Sequence, residues 1–158
     1  MRTLIVVLAA ALAACSSTQF HGTVQGQTLA PKESFFQTAL GDRVVVVVID
    51  DSGGLCSAKG NCVDPSSSTL TLTFFGLNPV VPGTYAVGSG VGASFERTDA
   101  SCRNIVEGGF ATSGSIVLSK LVDGSDAEGT FDLTFGGDHV TGQFAASWCG
   151  SAAADGGM

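Results

Sequence analysis

Six consecutive β-branched residues, VVVVVI at positions 44–49, are the feature of this chain that most constrains its fold. β-branched side chains lose rotamer freedom in helices and pack well on a pleated sheet, so the run predicts a strand. Such a strand is typical of one buried on both faces or central in a packed sheet. If exposed, the run would promote aggregation, and Arg43, Asp50 and Asp51 have the positions of charged gatekeepers at its ends.

The rest of the chain after the first residues favours strands over helices. It is rich in glycine and threonine, has short alternating apolar runs and shows no amphipathic helical pattern. We predict strands near residues 19–26, 34–38, 43–50, 69–75, 83–87, 92–97, 110–121, 128–135 and 139–148. About nine short strands separated by turns predict an all-β fold, a single antiparallel β-sandwich or β-barrel, and periodicity leaves these two open.

The clearest local pattern is a hairpin near the end of the chain. In residues 131–135, FDLTF, apolar side chains alternate with polar ones, as expected for a half-buried antiparallel strand. Residues 139–148 continue the pattern, and residues 136–138, GGD, predict a tight connection. Alternation places Trp148 in the core and Cys149 on the opposite side, at the rim or outer surface.

The first residues have the features of an export signal. Arg2 is followed by an apolar run over residues 4–14, which is too short to span a bilayer as a helix. The quartet Leu12-Ala13-Ala14-Cys15 resembles the lipobox of bacterial lipoproteins. The alternative is an ordinary secretory signal with an Ala-x-Ala cleavage site and an incidental cysteine.

The lipobox resemblance implies cleavage before Cys15 and acylation, including palmitate, of that cysteine. Each buried methylene contributes about 0.8 kcal/mol, so two or three acyl chains imply a durable membrane anchor. Ser16, rather than aspartate, follows the cysteine. By resemblance to enterobacterial sorting, this favours the outer membrane of the cell envelope, with the domain facing the periplasm or the cell surface.

The expected organisation is a signal peptide over residues 1–14, a lipidated N-terminus and tether over residues 15–18, a β-domain over residues 19–149 and a disordered tail over residues 150–158. Cleavage before Cys15 leaves 144 of the 158 residues, enough for one domain with a sizeable core.

The charge balance of the mature chain excludes two kinds of partner. Loss of Arg2 changes the formal net charge from −7 to −8, and the remaining basic residues are scattered. This distribution argues against nucleic acid, which needs clustered Lys and Arg, and against electrostatic binding to anionic lipid. The expected partners are the lipid bilayer, contacted through acylated Cys15, and an envelope protein.

Four cysteines remain once Cys15 is set aside as the lipidated residue: Cys56, Cys62, Cys102 and Cys149. An even number in an exported chain predicts two disulfides. The chain has no Cys-x-x-Cys pair, and this argues against a zinc site. Of the three possible connectivities we favour Cys56 with Cys62 and Cys102 with Cys149.

A catalytic site has little support in the sequence. Residues 51–54, DSGG, resemble the core of the Gly-Asp-Ser-Gly-Gly signature of chymotrypsin-like proteases, but Asp50 stands where that pattern has its first glycine. A nucleophilic Ser52 would need a base, and the pattern places His21 and His139 on polar strand faces. We therefore predict a turn at Ser52, no catalytic residue and no enzymatic activity.

Two clusters of acidic residues could bind a metal ion or act as an acid and base pair. Asp50, Asp51, Asn61 and Asp64 could surround a calcium ion, but they lack the spacing of a calcium motif, so a polar loop is favoured. Residues 126 and 128, an aspartate and a glutamate, are better explained as a solvated turn than as an acid and base pair. We expect no metal and no cofactor.

Three functions compete on this basis. The first is a non-enzymatic envelope lipoprotein whose β-domain binds a partner or has a structural role. The second is a small lipocalin-like carrier with a cavity lined by Phe, Tyr85 and Val side chains, and the third is a hydrolase. Residues 129–131, GTF, and the terminal Trp148-Cys149 resemble small disulfide-containing β lipoproteins without an assigned activity, and this resemblance supports only the architecture.

Overall fold

The computed structural model describes residues 17–58, 66–101 and 105–150. These residues contain ten strands and no helix: β1 (Gln19–Gly22), β2 (Glu33–Ala39), β3 (Val44–Asp50), β4 (Ser68–Phe75), β5 (Gly83–Ala86), β6 (Val91–Thr98), β7 (Ile105–Phe110), β8 (Ser113–Val122), β9 (Asp126–Phe135) and β10 (Asp138–Trp148). The all-β class is confirmed.

The strands form one strongly curled, half-barrel sheet with the order β5-β8-β9-β10-β2-β3-β4-β6-β7, and β1 pairs with β10 beside this path. The prediction of an antiparallel sheet is wrong at one junction, where β10 runs parallel to β2 with Ser147 opposite Phe35. A parallel contact between strands so distant in sequence leaves no local turn signal, because it is made by tertiary packing.

The strand β3 lies in the middle of this sheet, between β2 and β4, as the valine run predicts. Val45, Val47 and Ile49 are fully buried, whereas Val44 and Val46 on the other face are only half-buried. One face of the run therefore packs in the core, and the other face is partly exposed on the outer side of the sheet.

Two predicted strand boundaries need correction. The predicted strand 110–121 begins at Ser113, and residues 105–110 form a separate strand, β7, that the sequence pattern missed. Its sequence, IVEGGF, has two adjacent glycines and no alternation. The first strand ends at Gly22, and a short bridge between Val24 and Gln27 replaces the rest of the predicted strand.

The hairpin of β9 and β10 matches its prediction. Phe135 pairs with Asp138 across the two-residue connection Gly136-Gly137. Further along, Phe144 lies opposite Gly129, where a Cβ would overlap the Phe144 ring. The glycine therefore makes room for an inward aromatic ring.

Aromatic side chains fill much of the interior. Phe20 contacts Phe95 and Phe131, with 6.2 Å between ring centroids in both pairs. The Phe36 ring meets Trp148 edge to face at 5.2 Å, and Trp148 packs against the core as a partly buried side chain. These contacts join β1, β2, β6, β9 and β10 into one core.

Candidate functional site

The Asp50 carboxylate organises the turn that resembles a protease signature. Asp50 is 1% exposed, and its Oδ1 accepts hydrogen bonds from the Ser52 amide at 2.7 Å, the Gly53 amide at 3.2 Å and the Ser52 hydroxyl. Its Oδ2 accepts a fourth from the Thr69 hydroxyl at 2.8 Å. Ser52 thus helps to satisfy a buried carboxylate, and residues 51–53 form the turn that the sequence predicts.

The neighbouring Asp51 joins β3 to β4. Its Oδ1 accepts the Ser68 amide at 2.8 Å, and its own amide donates to the Ser68 carbonyl at 3.2 Å. Burial raises the pKa of Asp51, the Ser68 amide opposes this shift, and the adjacent Asp50 charge adds to it.

The proposed calcium ligands Asn61 and Asp64 lie outside the described residues. Within the described ranges, no group of three His, Cys, Asp or Glu side chains could hold a metal ion.

The two histidines lie on one outer face, although they are distant in sequence. His139 Nε2 is 2.8 Å from Asp132 Oδ1, and both side chains are well exposed. His21 pairs with Thr141, which in turn pairs with Asp132, so the register places His21 on the same surface. An open depression of about 310 Å³ lies there. Neither histidine is among the hydrogen-bond partners described for Ser52.

The carboxylates of Asp126 and Glu128 share one cation. Lys120 Nζ lies 2.9 Å from Asp126 and 3.2 Å from Glu128. The hydrogen bond from Lys120 lowers the pKa of Asp126, and the bond to Asp126 raises the pKa of Lys120. The three side chains are partly exposed, but they lie on the paired strands β8 and β9, so the predicted turn at residues 126 and 128 is wrong.

A single disulfide within the described residues joins Cys56 to Cys149, with 5.8 Å between their Cα atoms. The favoured connectivity, Cys56 with Cys62 and Cys102 with Cys149, is therefore wrong. The prediction that Cys149 lies at the rim or outer surface is also wrong, because this residue is 6% exposed. Cys62 and Cys102 lie outside the described residues.

The parallel contact of β10 with β2 explains this disulfide. The Cys149 amide donates to the Phe36 carbonyl at 2.9 Å, which brings the end of β10 beside β2. The loop after β3 folds back towards the start of β2, where the Leu55 amide donates to Glu33 at 2.7 Å. Cys56 follows Leu55, so both sulfur atoms reach the same place.

The first described residues, Ser17 and Thr18, are hydrogen-bonded to the β-domain. The Ser17 carbonyl accepts a hydrogen bond from Gln143 Nε2 at 2.9 Å. Thr18 Oγ1 is 2.8 Å from Ser34 Oγ and accepts the Ala145 amide at 3.1 Å. Half of the predicted tether is therefore fixed, and only Cys15 and Ser16 precede it in the predicted mature chain.

An open groove of about 480 Å³ lies beside this attachment point. Its lining includes Thr18 before β1, Lys32 and Glu33 at the entry to β2, Cys56 of the disulfide and Trp148 at the end of β10. The lining is mixed in polarity, and the groove opens at the surface rather than into the aromatic core.

Four exposed apolar side chains occupy the other end of β2, β3 and β4, and we call them the apolar end: Leu40, Phe75, Leu77 and Val81. Their exposed fractions are 68%, 60%, 95% and 59%. Scattered exposed apolar residues are normal, but these four come from the end of β4 and from the two loops beside it. No motif in the sequence predicted this surface.

Backbone hydrogen bonds hold the two loops of the apolar end together. The Gly76 amide donates to the Arg43 carbonyl, and the Val80 amide donates to the Asp42 carbonyl, both at 2.8 Å. The Tyr85 hydroxyl donates to the Val81 carbonyl and accepts the Val81 amide. The apolar side chains are thus presented on loops whose amides bond within the protein.

The apolar end belongs largely to an uncharged stretch of the chain. Residues 66–95 contain no Asp, Glu, Lys, Arg or His. The charged residues of the neighbouring loop, residues 40–43, are Asp42 and Arg43. The lack of charge over residues 66–95 was the available sequence signal for this surface.

Cys15 and the lipobox lie outside the described residues, as does residue 151 onward of the predicted tail. No helix among the described residues is long and apolar enough to cross a membrane. Comparison with protein-family models, curated proteins and solved structures finds no match to this chain.

Proposed function

We propose that the protein is a lipoprotein of the bacterial cell envelope, anchored through acylated Cys15, whose β-domain binds an envelope partner or has a structural role without enzymatic activity. The anchoring hypothesis rests on the Leu12-Ala13-Ala14-Cys15 quartet. The observation that links it to the domain is the fixing of Ser17 and Thr18 to β2 and β10.

This attachment implies that the domain sits directly on the membrane. The two residues Cys15 and Ser16 span at most about 7 Å when extended. A domain held so closely has restricted orientation, which suits a role in contacting a neighbour at the membrane surface. The outer membrane remains the proposed location, because Ser16 follows the cysteine.

The polar groups that suggested catalysis have structural partners in the described chain. Ser52 serves the Asp50 turn, and Lys120 lies between two carboxylates. The interior positions expected to line a carrier cavity are occupied by aromatic contacts, including the edge-to-face pair of Phe74 and Tyr85 at 5.2 Å. These contacts favour a binding or structural role over the hydrolase and carrier alternatives.

A Cys15→Ser variant tests the anchor. We expect loss of metabolic acyl labelling and a smaller share of the protein in the membrane fraction, because the sulfur atom is the site of acylation. The control is Ser16→Ala, which should keep its label. Continued acyl labelling of Cys15→Ser would overturn the proposal, because no thioether-linked chain can form on serine.

A further inference from the structure

We propose that the apolar end is a second membrane contact, in which Leu40, Phe75, Leu77 and Val81 insert into the interfacial layer of a zwitterionic phospholipid bilayer. This contact goes beyond the acyl anchor and does not require acylation of Cys15. Its first support is exposure, since Leu77 is 95% exposed and leaves almost its whole side chain in water.

The charge distribution selects a neutral lipid surface. Residues 66–95 carry no charge, although the full chain has a formal net charge of −7. A strongly charged protein surface would find no complementary group on this stretch, and anionic lipid would be repelled by the rest of the domain. A zwitterionic surface needs no such complement and rewards burial of apolar side chains.

The backbone of the apolar end is suited to a medium without hydrogen-bonding groups. The amides of Gly76, Val80 and Val81 all bond within the protein. Unbonded amides are costly in a bilayer, whereas a protein partner could supply acceptors of its own. Internal bonding therefore favours lipid as the occupant.

The charged residues beside the apolar end fit the headgroup layer. Arg43 is exposed, and its Nε donates to the Leu40 carbonyl at 2.9 Å, which leaves the terminal guanidinium nitrogen atoms for phosphate oxygens. Asp42, the neighbouring acid, is half-buried and contacts the loop through its carbonyl. A single arginine at the edge contributes orientation rather than a strong electrostatic attraction.

The position of the apolar end relates it to the anchor. Ser34, which contacts Thr18, and Leu40 stand at opposite ends of β2, about 20 Å apart along the strand. The short tether restricts the orientation of the domain on the membrane, and a second contact at this separation would fix it.

Tryptophan placed in the loop tests the insertion. The protein, reconstituted in phosphatidylcholine vesicles, is compared as Leu77→Trp and as Ile105→Trp, with the signal of the native Trp148 subtracted. Ile105 is a matched control because it is 59% exposed and begins β7, which is four strands from β2 in the sheet, and because it lies at the opposite strand end from Leu77. We expect a blue shift and quenching by brominated lipid for Leu77→Trp but not for Ile105→Trp.

A charge substitution provides the second measurement. In a Val81→Trp protein, adding Leu77→Asp should abolish quenching by brominated lipid, and adding Ile105→Asp should leave it unchanged. Solvated, unquenched emission from Leu77→Trp would overturn the proposal. Equal quenching at position 105 would also overturn it. A blue shift of the Leu77→Trp emission without vesicles, together with dimers in chemical cross-linking, would overturn it as well, because that result identifies a second copy of the chain as the occupant.

Discussion

The two ends of strands β2, β3 and β4 are closed in different ways. At the end near Glu33, side chains do the joining: the Asp50 carboxylate accepts four hydrogen bonds, and Cys56 bonds covalently to Cys149. At the apolar end, backbone amides join the two loops and the side chains are left exposed. The comparison separates an end built for stability from an end available for contact.

The difference has a consequence for mutational sensitivity. Where buried side chains hold the loops, a single substitution removes several interactions at once. Where backbone atoms hold them, most side chains can change without loss of the loop conformation.

Removal of the disulfide should have the largest effect. The bond joins residues separated by 93 positions, and in the chain-entropy model such a crosslink is worth about 4.6 kcal/mol. We therefore expect Cys149→Ser to lower the free energy of unfolding by up to that amount in urea denaturation. Equal stability of Cys149→Ser and the native chain would show that this bond does not stabilise the protein.

The same bond makes a prediction about the remaining cysteines. Once Cys56 is paired with Cys149, the cysteine count leaves Cys62 for Cys102. The described chain beside them converges, because the Ser66 amide donates to the Asp99 carbonyl at 3.3 Å. Peptide mapping without reduction should yield a Cys62–Cys102 crosslink, and a Cys56–Cys62 peptide would contradict both pairings.

The disulfide also shows which parts of the fold the sequence can predict. The valine run of β3 and the alternation of residues 131–135 depend on local pattern, and the structure has both as predicted. The pairing of Cys56 with Cys149 depends on the parallel contact of β10 with β2, which has no local signal. Proximity in sequence was therefore a poor guide to proximity in the sheet.

The Asp50 turn should be the next most sensitive feature. Asp50→Ala removes the acceptor of four hydrogen bonds in a buried site, and we expect the free energy of unfolding to fall by about 3 kcal/mol. Thr69→Val, which removes one of those bonds, should cost about 1 kcal/mol. Urea denaturation of both variants checks the ranking, and equal losses would contradict the shared role of the carboxylate.

The site residues were only partly predictable for the same physical reason. A turn at Ser52 follows from the local DSGG sequence, but the burial of Asp50 depends on Thr69 of the neighbouring strand. The apolar end had a signal in the uncharged residues 66–95, yet the exposure of Leu77 depends on how its loop meets the Arg43 loop.

At the apolar end, Tyr85 is the exception to backbone closure and offers a smaller effect. Tyr85→Phe removes the hydroxyl that bonds the Val81 amide and carbonyl while keeping the ring against Phe74. We expect a loss of about 1 kcal/mol and faster hydrogen exchange of the Val81 amide. Leu77→Ser, at a 95% exposed position, should leave stability within about 0.5 kcal/mol. Unchanged exchange in Tyr85→Phe would show that backbone bonds alone hold the loop.

The smallest effect is expected at Asp51, which bonds to Ser68 both through its side-chain carboxylate and through its backbone amide. Burial raises the pKa of Asp51 in the folded protein, so the folded state binds this proton more tightly than the unfolded state. Stability should therefore fall as the pH rises from the ordinary aspartate pKa through the raised value. Asp51→Asn removes this penalty and keeps an oxygen acceptor for the Ser68 amide, so we expect a slightly higher Tm at neutral pH and no gain in acid.

The control for this prediction is Asp42→Asn, which makes the same change of charge on the loop of the apolar end. Asp42 has a φ of 61°, a conformation that asparagine tolerates, so the substitution should not strain the backbone. An equal rise in Tm for Asp42→Asn would attribute the effect to net charge. A rise confined to Asp51→Asn at neutral pH would attribute it to the surroundings of the Asp51 carboxylate, where burial and the adjacent Asp50 charge raise its pKa.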